Sequence, residues 1–172
     1  PGNVHHQGGP SKLFFGTDSG INREGQRLEI FLNDAAIETV FSDNIKKLLW
    51  KKFLFVSPAA IVTAVCQITF SEICQNPESK ALFENLTVEL MLLAEIKGAE
   101  PDPDTVVLNS RLSASFAGSA KSSFQRDLEN NKPSEIDSLL KYVITASAEN
   151  GLPATAYNEA LKQITRKYNL NG

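Results

Sequence analysis

The stretch Asn44-Ile45-Lys46-Lys47-Leu48-Leu49-Trp50-Lys51-Lys52-Phe53-Leu54-Phe55-Val56 decides how the chain is read. It is a helical run, and on a helix side chains three and four residues apart share a face. The four such neighbours of Lys52 are Leu48, Leu49, Phe55 and Val56, all apolar. Lys51 has Lys47 among its neighbours, so its amine has an easier route to water. Lys52 alone falls in mid-stripe. An ammonium in that position snorkels, pairs with a carboxylate, or loses affinity for its proton, because burial disfavours the charged form. The third outcome makes a general acid, whereas the first makes only a helix that is apolar nearly all round.

Downstream of this stretch the pattern stays helical. Asp43 can cap the first helix, and Ser57-Pro58 either kinks or restarts it, proline being tolerated in a first turn and costly inside. Further amphipathic runs cover 77–97, ended by Gly98, then 104–116 and 121–131. Ser134-Glu135-Ile136-Asp137 has the form of a capping box opening a helix with the stripe Ile136, Leu139, Leu140, Val143 and Ile144. Asn150-Gly151 ends it, and Pro153 opens a last helix with Tyr157, Leu161 and Ile164 facing inward. Short loops make neighbouring helices antiparallel.

Upstream, residues 1–41 read differently. Val4-His5-His6 and Lys12-Leu13-Phe14-Phe15 are extended segments separated by Gly8-Gly9-Pro10 and closed by Gly16. A helical pattern over 21–36 puts Leu28, Phe31 and Leu32 on one face, and Ile37-Glu38-Thr39-Val40-Phe41 is β-like. Strand, strand, helix, strand cannot close a core alone, so 1–41 is expected to be the tail of an α/β domain. The expected division is therefore 1–41 and an all-helical 42–172, mainly α with a small α/β remnant.

A net charge of −3 and the lack of a basic cluster with interleaved aromatics argue against nucleic acid as a partner. No apolar run reads as a membrane span, the longest being interrupted by Ser57, Pro58 and Thr63. Cys66 and Cys74 lie eight apart with no CxxC and no nearby histidine, so neither a metal nor a disulfide framework is implied; free thiols fit a cytoplasmic setting. The opening Pro1-Gly2, without methionine or signal pattern, is expected of a piece of a longer polypeptide.

For chemistry, Glu135 would fall in the first turn of the helix capped by Ser134, where exposed N–H groups favour a carboxylate. There it can serve as counter-ion to an amine such as Lys52, or simply as a well-placed helix-start acid. Ser123, within Ser122-Ser123-Phe124-Gln125-Arg126-Asp127, is a hydroxyl that could bind a carboxylate or cap a helix. His5 and His6 read as surface residues. Glycine-rich phosphate loops, GxSxG and HExxH are all absent.

Together these residues resemble a known family. Trp50-x-Lys52, then Ser123-Phe124-Gln125-Arg126-Asp127-Leu128, Pro133-Ser134-Glu135-Ile136-Asp137 and Gly151-Leu152-Pro153 are similar to the C-terminal domain of ketopantoate reductases (2-dehydropantoate 2-reductases). The opening Pro1-Gly2-Asn3-Val4, Gly8-Gly9 and Phe15-Gly16 resemble the last strands of that family's Rossmann domain. The spacing of twelve from Ser123 to Glu135 is the most specific part. The resemblance implies a helical substrate and dimerisation domain of the 6-phosphogluconate dehydrogenase C-terminal type, behind a Rossmann domain of the same polypeptide. It further implies NADPH and a 2-oxo acid in the cleft, a homodimer, and a place in pantothenate biosynthesis. Lys52 then falls in the general-acid role, Ser123 in the substrate-binding one, and Glu135 as the carboxylate that orders lysine and cofactor.

Two departures follow. The family's pocket asparagines, four and eight residues after the lysine, are here Val56 and Ala60. An amide grip is thus replaced by apolar surface, which points to a different, more apolar 2-oxo acid, with Thr63 as a replacement contact. The pyrophosphate-binding glycine fingerprint also lies outside these residues, so this piece alone is expected to hold no NADPH and to be inactive. Two alternatives stay open: a helical dimerisation or ligand-binding module that has lost catalysis, and a related dehydrogenase of the 6-phosphogluconate or opine type.

Overall fold

The computed structural model describes residues 12–18, 20 and 22–170. The expected strand at 4–6, the turn at 8–10 and the opening motif lie outside the described residues. The chain divides into two compact units, Pro1–Leu49 and Trp50–Gly172, the division falling inside the helix that spans Ile45–Cys66.

The first unit is a βαβ segment. Strand β1 (Leu13–Gly16) pairs in parallel with β2 (Thr39–Ser42), and helix α1 (Arg23–Asp34) connects them. Asn22 caps α1 by accepting from the N–H groups of Glu24 and Gly25. The strands approach closely at Gly16, where a Cβ would stand 1.9 Å from the Ser42 carbonyl oxygen. The far edge of β2 is covered by α1. The Asn33 amide accepts from Thr39 N–H and donates to Thr39 C=O, and Glu29 accepts from Phe41 N–H at 2.9 Å. The predicted inward face of α1 is instead largely open, with Leu28 46% and Phe31 67% exposed. Two strands at roughly 4.8 Å spacing are too narrow a floor for the helix.

The second unit is helical, built on the later part of α2 (Ile45–Cys66). From Ser57 to Val65 every side chain of α2 is buried, which explains why the sequence there is small and apolar on all sides. This helix is long and apolar enough to cross a membrane, contrary to the sequence reading. However, 67% of its most apolar window is buried within the protein, as befits a core helix. Pro58 neither stops nor restarts it. Having no N–H, Pro58 leaves the Leu54 carbonyl without its helical donor, and the Asn109 side-chain amide of α4 (Thr105–Ala114) donates to that oxygen at 2.8 Å. At the other end Gln67 adopts φ +57° and Ile68 N–H returns to the Thr63 carbonyl, closing the helix without a glycine.

Around α2 lie α3 (Pro77–Ile96), α4, α5 (Ser123–Glu129), α6 (Tyr142–Glu149) and α7 (Thr155–Lys167). Their inward residues, among them Phe83, Leu86, Leu90, Leu93, Val143 and Ile164, are fully buried. Phe55, Phe70 and Phe116 stack, with Phe70 and Phe116 centroids 4.7 Å apart. Two C-terminal groups finish α2: Tyr168 Oη donates to the Ala64 carbonyl and the Lys167 ammonium to that of Val65. No side chain of its own turn caps α7. Instead Glu89 of α3, itself buried, accepts from the Ala156 and Tyr157 N–H groups at 2.9 and 3.2 Å.

The capping box expected at Ser134 is not formed. The segment Asp137–Lys141 winds as a π turn, in which Tyr142 N–H bonds the Asp137 carbonyl, and the Ser134 hydroxyl makes no capping bond. The turn is entered by Leu139 N–H donating to the Glu135 carbonyl at 2.8 Å.

Candidate active site

Lys52 lies on α2 one turn before Val56 and two before Ala60. Its surroundings differ from the expectation. Phe55 is buried, but Leu48 and Val56 are only half-buried and Leu49 is 60% exposed. Lys52 itself is exposed, because α2 becomes enclosed only from Leu54 onward. Within this chain its ammonium is not desolvated, and it makes no hydrogen bond or ion pair among the described residues. It is a displayed charge, able to meet an anion.

Ser123 stands at the first position of α5. The cap of that helix is its neighbour Ser122, whose buried Oγ accepts from Gln125 N–H at 3.1 Å. Ser123 is thereby released from capping, and its exposed hydroxyl has no partner among the described residues. Glu135 is exposed at the entry to the π turn. No ion pair joins it to Lys52.

The elements that carry these residues are nonetheless pinned to one helix. Thr63 Oγ1 meets Ser122 Oγ at 2.8 Å, fixing the start of α5 to α2. Ser57 Oγ donates to the Leu139 carbonyl at 2.9 Å, and the Phe53 and Tyr142 rings lie 6.3 Å apart, fixing the π turn. The anchor of α5 is about three helical turns from Lys52 along α2.

Of the remaining pocket candidates, Val56 is half-buried and Ala60 is buried. Thr63 is corrected: it is fully buried, and its hydroxyl is taken by Ser122 and the Ala60 carbonyl, leaving nothing to offer a substrate. Among the described residues no group of three His, Cys, Asp or Glu could hold a metal ion. The chain has no glycine-rich fingerprint for the pyrophosphate of a dinucleotide.

The residues missed in the sequence are the interior polar ones. Ser57 bonds the Tyr157 phenol at 2.8 Å, both fully buried, and burial pushes that phenol above its usual range. Pro58 inside a helix was the signal that an acceptor such as Leu54 O needed a donor; nothing local signalled Ser57, Glu89 or Tyr157.

In the chain a helical unit follows a βαβ unit. The chain belongs to the ketopantoate reductase family, its residues 44–169 matching the model described as "Ketopantoate reductase PanE/ApbA C terminal". It is similar to the uncharacterized oxidoreductase YkpB of Bacillus subtilis (strain 168), 28% identical over 154 residues, which are 89% of this chain and 51% of that protein. Its fold is that of a PanE/ApbA family ketopantoate reductase from Ralstonia eutropha JMP134, with TM-score 0.83, 22% identity, and coverage of 99% and 56% of the two chains. A D-mandelate dehydrogenase solved with NADH gives TM-score 0.80 at 15% identity, covering 92% and 54%. The chain spans about half the length of the relatives it matches.

Proposed function

We propose that this chain is the C-terminal part of an NADPH-dependent reductase of 2-oxo acids, with Lys52 as general acid. The observation that supports the reading most directly is the displayed Lys52 ammonium, without a partner among the described residues, within a domain of this family. When bound, the nicotinamide supplies hydride to the carbonyl carbon. Negative charge then grows on the carbonyl oxygen, and Lys52 stabilises it and gives up a proton to it. The Ser123 hydroxyl, free of its helix cap, binds the substrate carboxylate, and Glu135 orders the lysine and the cofactor. Val56 and Ala60 present hydrocarbon where amides would hold a hydroxylated substrate, so the acid reduced is more apolar than ketopantoate. We extend to the parent protein the dimeric state named for the Staphylococcus aureus ketopantoate reductase, and a cytoplasmic location.

In the full-length protein, Lys52→Ala is expected to lower kcat by about 10²-fold or more. Val56→Asn is expected to raise the ketopantoate rate relative to other 2-oxo acids. NADPH oxidation across a panel of 2-oxo acids checks both, and full activity in Lys52→Ala would refute the mechanism. The loss of both asparagines favours one other reading, a domain that binds without reducing, which predicts no turnover with any member of the panel.

A further inference from the structure

We propose that Ser57 and Tyr157 are positioning residues that set the Glu135 turn against the helix displaying Lys52; the inference rests on the reductase reading above. The two hydroxyls are 100 positions apart in sequence, fully buried, and 2.8 Å apart in space. Ser57 has a single proton, which goes to the Leu139 carbonyl at 2.9 Å, so the Tyr157 phenol must be the donor to Ser57. Leu139 N–H in turn donates to the Glu135 carbonyl at 2.8 Å. A relay therefore starts in α7, crosses α2 and ends on the backbone of the candidate carboxylate.

The carbonyl that receives Ser57 lies in the middle of the π turn. Widened turns of this kind are rare and concentrate at functional sites. Apolar packing between helices is non-directional and lets one slide on another, whereas a buried hydrogen bond has a preferred length and angle. Ser57 sits on the same helix as Lys52, about 7.5 Å further along its axis. The Phe53–Tyr142 ring contact is a second, softer fixed point. The Ser57–Leu139 bond thus fixes the turn that carries Glu135 to the helix that carries Lys52. A displacement of about 1 Å in such a relation costs on the order of 10²-fold in rate.

The test uses the full-length protein with Ser57→Ala, Tyr157→Phe and, as reference, Lys52→Ala. Hydrogen exchange is followed for the amides of residues 137–142, together with kcat and KM for the best 2-oxo acid of a panel. In Ser57→Ala those amides are expected to exchange at least tenfold faster while α3 is unchanged, and kcat to fall about tenfold with KM for NADPH held within threefold. Tyr157→Phe keeps the Ser57–Leu139 bond and should move both readouts the same way by less; should Ser57→Ala not fold, it decides alone, and parental behaviour overturns the inference. Unchanged exchange in Ser57→Ala overturns it, as does faster exchange with kcat within threefold of the parent. An inactive Lys52→Ala beside a fully active Ser57→Ala sinks this inference only. A fully active Lys52→Ala sinks the reductase reading and this inference with it.

Discussion

At the scale of single residues, polar groups inside the helical unit answer for gaps in its backbone. Pro58 removes a donor and Asn109 replaces it at Leu54. Asn109→Ala is expected to cost about 1–3 kcal/mol, the range for a buried acceptor left unsatisfied. In a Pro58→Ala background, where the helix recovers its own N–H, that cost should shrink by about 1 kcal/mol, which urea unfolding of the four variants checks. Tyr157 adds a pH dependence. Burial raises its folded pKa above the ordinary tyrosine value of about 10, so the neutral phenol stabilises the fold fully below pH 10. Above pH 10 the unfolded chain releases the proton first, and stability falls as pH rises, by up to about 1.4 kcal/mol per unit from this group. The difference in alkaline unfolding between the parent and Tyr157→Phe isolates the effect. Of these residues only Pro58 was visible in advance, since a proline inside a helical pattern announces a missing donor. The exposure of Lys52 was left open by its spacing, which reports which residues share a face, not whether that face is covered.

At the scale of elements, boundaries marked by local chemistry were legible. Pro77 and Gly98, the latter at φ +71°, bracket α3, and Gly151 at φ +67° closes α6. The π turn was not legible, because bonding five residues apart leaves no periodic signature and the Ser134 motif imitated a capping box. The cap of α7 was hidden for another reason: Glu89 comes from 67 and 68 positions away. Glu89→Ala strands two N–H groups at that helix start and should cost about 1–3 kcal/mol. Glu89→Gln, which keeps an acceptor but loses the charge facing the helix dipole, should cost less. Thermal melts of the two variants order them.

At the scale of the whole molecule, the ordered set from Trp50 to Pro153 carried the family before any coordinate did, because its spacings run through the helices that the structure places around α2. The same scale predicts what this half lacks. Without a pyrophosphate cradle, the chain alone should show no saturable NADPH binding, and a nicotinamide fluorescence titration that saturated at micromolar concentration would contradict that. The first unit carries one more implication. Asn33 already occupies the outward N–H and C=O of Thr39, and Glu29 the N–H of Phe41. An incoming peptide would therefore find those groups of β2 already taken. On the β2 side, growth of that sheet is sealed from within.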